Sequence, residues 1–178
     1  MKRNLTPSGA FVTGAALLSA ALLLAADVKT DYSHSVDFGN YHTYSWLKVD
    51  AGNPLWVDRI QRDIDGELSA KGWMRVPSGG DAAVSAFGAT HNQQSLQTFY
   101  DGFGGGWRWG GFGDVATTTT VNTPIGTLVV DIFDGRSKQL IWRGTSQRTL
   151  SDKPDKNEKK LEESVTDMFK HFPPPAKS

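Results

Sequence analysis

The feature that most constrains this chain is an almost wholly apolar run of 17 residues, Ala10 to Ala26, reading AFVTGAALLSAALLLAA. Lys2 and Arg3 precede it, and Asp27 is the first acidic residue. A basic tip, an apolar stretch and small residues before a polar boundary are the parts of a secretory signal. Ala25 and Ala26 suit the positions before a cut, although Leu24 is larger than the small residue usually wanted there. The run also reaches the lower edge of a membrane-spanning length. Residues 1–26 therefore read as a signal peptide or, if uncut, as an N-terminal membrane anchor. Gly9, Thr13 and Gly14, with no polar face, argue against a buried core helix. The remaining residues, 27–178, must build a core on their own. A cut after Ala26 would remove Lys2 and Arg3 and leave a slight acidic excess, too weak to steer partners strongly.

The chain has no cysteine. Disulfides, thiolate metal sites, cysteine nucleophiles and a lipid-modified cysteine are thereby excluded. With 38% hydrophobic and 21% charged residues, the composition is that of a globular domain. The balanced charge gives no basic excess of the kind nucleic-acid binders carry, so no nucleic-acid partner is expected.

Along residues 27–178, strands are expected at Val28–Tyr32 and Tyr41–Leu47, both rich in β-branched or aromatic residues. Asn53-Pro54 then opens a helix as cap and first residue. Trp56, Ile60, Ile64 and Leu68 recur every fourth position as its apolar stripe, Gly66 falls opposite, and Gly72 stops it. Trp73–Val76 reads as a short strand and Ser78-Gly79-Gly80-Asp81 as a turn. Further strands are expected at Ala82–Ala89, which Gln97–Tyr100 could continue, and at Ala116–Thr123, Leu128–Phe133 and Leu140–Ser146. Asp134-Gly135-Arg136-Ser137 turns the last hairpin. Asp155 and Glu158 have capping-box spacing. Leu161, Val165, Met168, Phe169 and Phe172 form the stripe of a second helix, ended by Pro173-Pro174-Pro175. The order β-β-α-β-β-β-β-β-α predicts a single α+β domain: an antiparallel sheet with two helices packed on one face.

VKTDYSHSVDFGNYHTYSW, NPLWVDRIQRDIDGELSAKGW, GTLVVDIFDGRSKQLIWRG and KKLEESVTDMFKHFPP together resemble the DUF4136 family of domains of unknown function, over roughly Val28 to Pro174. The resemblance implies an exported bacterial protein and carries no catalytic residue with it. Many members carry a lipobox cysteine, which this chain lacks.

The oddest stretch is Phe99 to Gly113, FYDGFGGGWRWGGFG. Phe99, Tyr100, Phe103, Trp107, Arg108, Trp109 and Phe112 form a candidate contact loop for an envelope partner or a membrane surface, because a core would not be built from so much glycine. The bland reading is a hairpin extension whose aromatics fold back on the sheet. Asp131 interrupts an apolar strand. Alternation puts it on the face of Arg143 and opposite Leu128, Val130, Ile132, Leu140 and Trp142, so Asp131 and Arg143 form a candidate structural ion pair. His34, His42, His91 and His171 are scattered, and Asp31, His34, Asp37 and His42 match no ligand spacing, so no metal is expected. Nucleophile-elbow, zinc-peptidase, phosphate-loop and dinucleotide motifs are missing, and no cofactor is expected. The sequence favours a non-catalytic binding or structural module of the periplasm or outer-membrane periphery. A hydrolase of envelope polymers and a scaffold subunit pairing through a sheet edge are the alternatives.

Overall fold

The structure, a computed structural model, describes residues 27–90 and 125–175. Its strands are β1 (Asp27–Tyr32), β2 (Thr43–Asp50), β3 (Met74–Arg75), β4 (Ala82–Thr90), β5 (Ile125–Asp134) and β6 (Leu140–Thr149). The helices among the described residues are α1 (Pro54–Ala70) and α2 (Pro154–Phe169), with one 3-10 turn at Phe38–Asn40. The strands lie in the order β1-β6-β5-β4-β2-β3. The α+β class is as the sequence predicts. The expected leader at 1–26 and the expected strands at Gln97–Tyr100 and Ala116–Thr123 fall outside the described residues.

The sheet is mixed, which corrects the antiparallel expectation. β1, β6, β5 and β4 pair antiparallel, but β2 runs parallel to both β3 and β4. The reason is local. α1 carries the chain from the end of β2 back to its start, so β3 begins in the same direction. The turn Ser78–Asp81 does not then reverse the strand. It crosses β2 and delivers β4 to the other edge, with Tyr44 paired to Arg75 on one side and Ala82 on the other. Gly80 makes the crossing possible: a Cβ there would stand 2.6 Å from the Tyr44 carbonyl carbon.

Both helices cover one face. Ile60, Ile64 and Leu68 from α1, with Leu161, Val165, Met168 and Phe169 from α2, join Val84, Ala86, Leu128, Val130, Ile132 and Trp142 in one core. Phe172 and Trp73 close it with edge-to-face rings 5.2 Å apart, a favoured aromatic geometry. Asn53 caps α1 through the Leu55 N–H at 2.9 Å, and Gly72, at φ 84°, ends it. At α2 the capping box is not made. Lys153 is the cap residue and offers no side-chain bond. Asn157 instead brackets Ser151, accepting its N–H and donating to its carbonyl, both at 2.7 Å. Glu158 pairs with Arg59 and Arg62, tying α2 to α1.

Two register irregularities redirect side chains. A bulge between Trp46 and Lys48 places Lys48 beside Ser85 and returns Val49 to the core side. Another, between Ile132 and Phe133, sets Leu140 opposite Phe133. Leu140 therefore does not share the face of Ile132, contrary to simple alternation.

Candidate functional site

Asp131 and Arg143 are register partners on β5 and β6, and their side chains meet in a two-pronged ion pair, Nε to Oδ1 and Nη2 to Oδ2. They occupy the sheet face turned away from the helices. Both side chains are only 1% exposed, whereas alternation alone left their burial open. Ser85 lies beside Asp131, and Asp31 beside Arg143, on the flanking strands. This arrangement pairs the two charges with each other within the sheet. The candidate contact-loop residues Phe99, Tyr100, Phe103, Trp107, Arg108, Trp109 and Phe112 lie outside the described residues. Among the described residues, no cluster of three His, Asp or Glu could hold a metal ion, and Asp37 instead caps the 3-10 turn through the Gly39 N–H.

Two concavities open on the helix side. The larger, about 560 Å³, is a shallow cleft between the end of α1 and β3. Asp65 dominates its wall. One carboxylate oxygen accepts the Tyr44 hydroxyl at 2.6 Å and the Trp46 indole N–H at 2.8 Å, and the other accepts Arg75 at 2.9 Å. Burial, reinforced by the Asp65 hydrogen bond, pushes the Tyr44 phenol above its ordinary range. Three donors thus occupy Asp65, and the network reads as a brace between α1, β2 and β3.

The smaller concavity, about 170 Å³, is more enclosed. It lies at the carboxyl ends of the parallel strands β2 and β4 and beside the first turns of α1 and α2. That position is where an open parallel pair leaves a crevice. Ala51, Trp56, Ile60, Leu128, Leu150 and Leu161 supply its apolar walls. Arg59 lies over the Trp56 ring at 4.9 Å and also holds Glu158 of α2 at 3.2 Å, fixing the rim.

The polar groups lining this cavity are mostly satisfied by one another. Ser164 Oγ donates to the Lys160 carbonyl at 2.7 Å and meets Ser146 Oγ at 2.9 Å. Arg148 donates to Ser164 and is held by Glu163 and Asp167. Lys160 differs. Its ammonium donates to the Thr149 carbonyl at 2.7 Å, and no carboxylate among the described residues forms an ion pair with it. An ammonium has three donors, so two remain for another acceptor.

Sequence reasoning did not find this cavity. Ser164 was the available signal: a small polar residue inside the stripe from Leu161 to Phe172 implies a satisfied polar contact under the helix. Lys160 carries no such mark, because a lysine beside an apolar stripe usually extends its ammonium into water.

The sequence pattern of the family described as Domain of unknown function (DUF4136) matches residues 28–174. Among curated proteins, none matches the chain. The chain is similar in fold to a PDZ domain protein from Parabacteroides distasonis, with TM-score 0.57 and 16% identity, over 83% of this chain and 35% of that one. It thus spans about a third of that protein's length. More distant are a PelC dodecamer from Paraburkholderia phytofirmans, TM-score 0.47 at 12% identity over 80% and 96% of the two chains, and lipoprotein GNA1162 from Neisseria meningitidis, TM-score 0.38 at 9% identity over 73% and 99%. No helix among the described residues is long and apolar enough to cross a membrane.

Proposed function

This chain belongs to the DUF4136 family of domains of unknown function, and from that premise we propose that it is an exported, envelope-associated protein whose domain binds rather than catalyses. The leader at 1–26 supports export. The observation that carries the binding reading is the contrast between the two concavities. The larger one presents a carboxylate already held by three donors, and a reactive site needs a group with a proton or lone pair to spare. The smaller one joins apolar walls to polar groups that are mostly already paired, the make-up of a ligand pocket. The aromatic stretch at 99–113 is proposed as a further contact element for a partner or a membrane surface.

Two measurements test this. The intact mass of the chain recovered from each fraction of the native cell should place it in the envelope, either trimmed near Ala26 or still carrying the leader in a membrane. A full-length chain folded in the cytosol would overturn export. An extract of envelope components added to the isotope-labelled chain should shift the methyl signals of Ile60, Leu128 and Leu161. Turnover of an extract component, with those methyls unmoved, would favour the hydrolase reading instead.

A further inference from the structure

We propose that the cavity between the helix amino ends and the sheet binds a small amphiphilic monocarboxylate, with an apolar body of about six carbons in the pocket and its carboxylate on Lys160. The proposal rests on the binding reading above and names its ligand class. Size sets the apolar part: the cavity measures about 170 Å³, and a dry apolar cavity of about 150 Å³ accepts a benzene ring. Lining sets its character. Ile60, Leu128, Leu150 and Leu161 offer no hydrogen bonds, and Ser146, Ser164 and Arg148 are engaged with each other or with Glu163 and Asp167. A polar body would lose its water without replacement there.

Charge sets the head group. Arg148 is neutralised by two carboxylates, so its field at the pocket is small. Lys160 is half-buried, lines the pocket and keeps two donors beyond the Thr149 carbonyl. The first turns of α1 and α2 border the same space, and the positive ends of their helix dipoles favour an anion over a cation. A neutral ligand would gain from the walls alone, and a short anion from Lys160 alone. Only a molecule with both parts uses the whole site.

The test uses the isotope-labelled full-length chain and three probes at matched ionic strength: hexanoate, 1-hexanol and acetate. Hexanoate should shift the Ile60, Leu128 and Leu161 methyls saturably and bind at least tenfold more tightly than 1-hexanol, while acetate should not saturate. Lys160→Gln should weaken hexanoate about tenfold and leave 1-hexanol unchanged. Ala51→Leu, which fills the pocket, should abolish both; if that variant does not fold, Lys160→Gln decides. Non-saturable hexanoate, or equal hexanoate affinity in either folded variant, would overturn the proposal. Failure of hexanoate while envelope extract still moves the three methyls would remove the ligand class and spare the binding reading. Failure of both would remove the two together.

Discussion

Removing Asp131 should cost this domain far more than a cross-strand ion pair usually contributes. An exposed pair is worth about 0.2–1 kcal/mol, because water screens it and two long side chains must be held still. Here both partners are 1% exposed and meet through two parallel hydrogen bonds. Asp131→Ala leaves a guanidinium in a site shaped for its carboxylate, and breaking a buried pair from one side costs about 3–5 kcal/mol. Asp31, the neighbour of Arg143 on β1, substitutes poorly. It is exposed and its carboxylate already accepts the Tyr32 N–H at 2.9 Å. Taking about 2 kcal/mol per molar as the urea dependence for a domain of this size, a loss of about 4 kcal/mol lowers the unfolding midpoint by about 2 M. The double variant Asp131→Leu/Arg143→Met removes both charges while keeping apolar bulk, and should unfold near the wild-type midpoint or above it. Urea melts followed by far-ultraviolet circular dichroism measure both. A midpoint drop under about 0.5 M for Asp131→Ala, below about 1 kcal/mol, would show the pair to be wet and refute the argument.

Three further outcomes follow from local geometry. Gly66 sits exposed in α1 with nothing within 4 Å of a built Cβ, so Gly66→Ala should stabilise by about 1 kcal/mol, read as a higher melting temperature. Gly144 is the reverse case. A Cβ there would stand 2.6 Å from the Trp142 ring and 2.8 Å from Met168 Sδ, so Gly144→Ala should destabilise by about 1–3 kcal/mol, read as a lower urea midpoint. Asp134 contributes to the loss of stability in acid. Burial raises its carboxyl, but the Ser137 N–H, the Tyr41 hydroxyl at 2.7 Å and the Arg136 N–H outweigh that and bring it to about 2, from an ordinary 3.8. A lowered carboxyl contributes stability that is complete above the unfolded value and fades as pH falls from about 4 to about 2. Asp134→Asn should flatten that part of the stability–pH curve.

The parts of the fold that were legible share one property: each is set by contacts within a short segment. The two helical stripes follow from Ile60, Ile64, Leu68 and from Leu161, Val165, Phe169 at helical spacing, and the structure buries all six. The β5–β6 hairpin follows from a turn flanked by apolar runs. The parallel pairing of β2 was not legible, because Ser78-Gly79-Gly80-Asp81 has the composition of a reversing turn. What makes it cross β2 is the absence of a side chain at Gly80 against the Tyr44 backbone, a contact between residues 36 positions apart. The cavity was hidden for the same reason, since its walls come from α1, β5, α2 and the stretch after β6. Lys160 becomes notable only when the carboxylates near it are placed and found to be serving Arg148.

The sheet's second face shows what alternation can and cannot encode. Register brings Lys48, Ser85, Asp131, Arg143 and Asp31 into one row across β2, β4, β5, β6 and β1. Each residue looks in sequence like an isolated polar break in a strand. Lys48 joins the row only because the bulge between Trp46 and Lys48 moves it off the core side. Beside it, Ala83, Phe87, Val129 and Phe133 are buried yet stand outside the helix-side core. A slip of β6 by one residue against β5 would turn Arg143 toward Val130 and Ile132 and strand Asp131 among apolar neighbours, exchanging a satisfied pair for two buried charges. The apolar residues of β5 cannot supply that discrimination, because Val129, Val130, Ile132 and Phe133 are apolar on both faces. The charge pair therefore favours this register of β6, and the helix-side cavity depends on it, since Ser146 and Arg148 line the pocket only in this register.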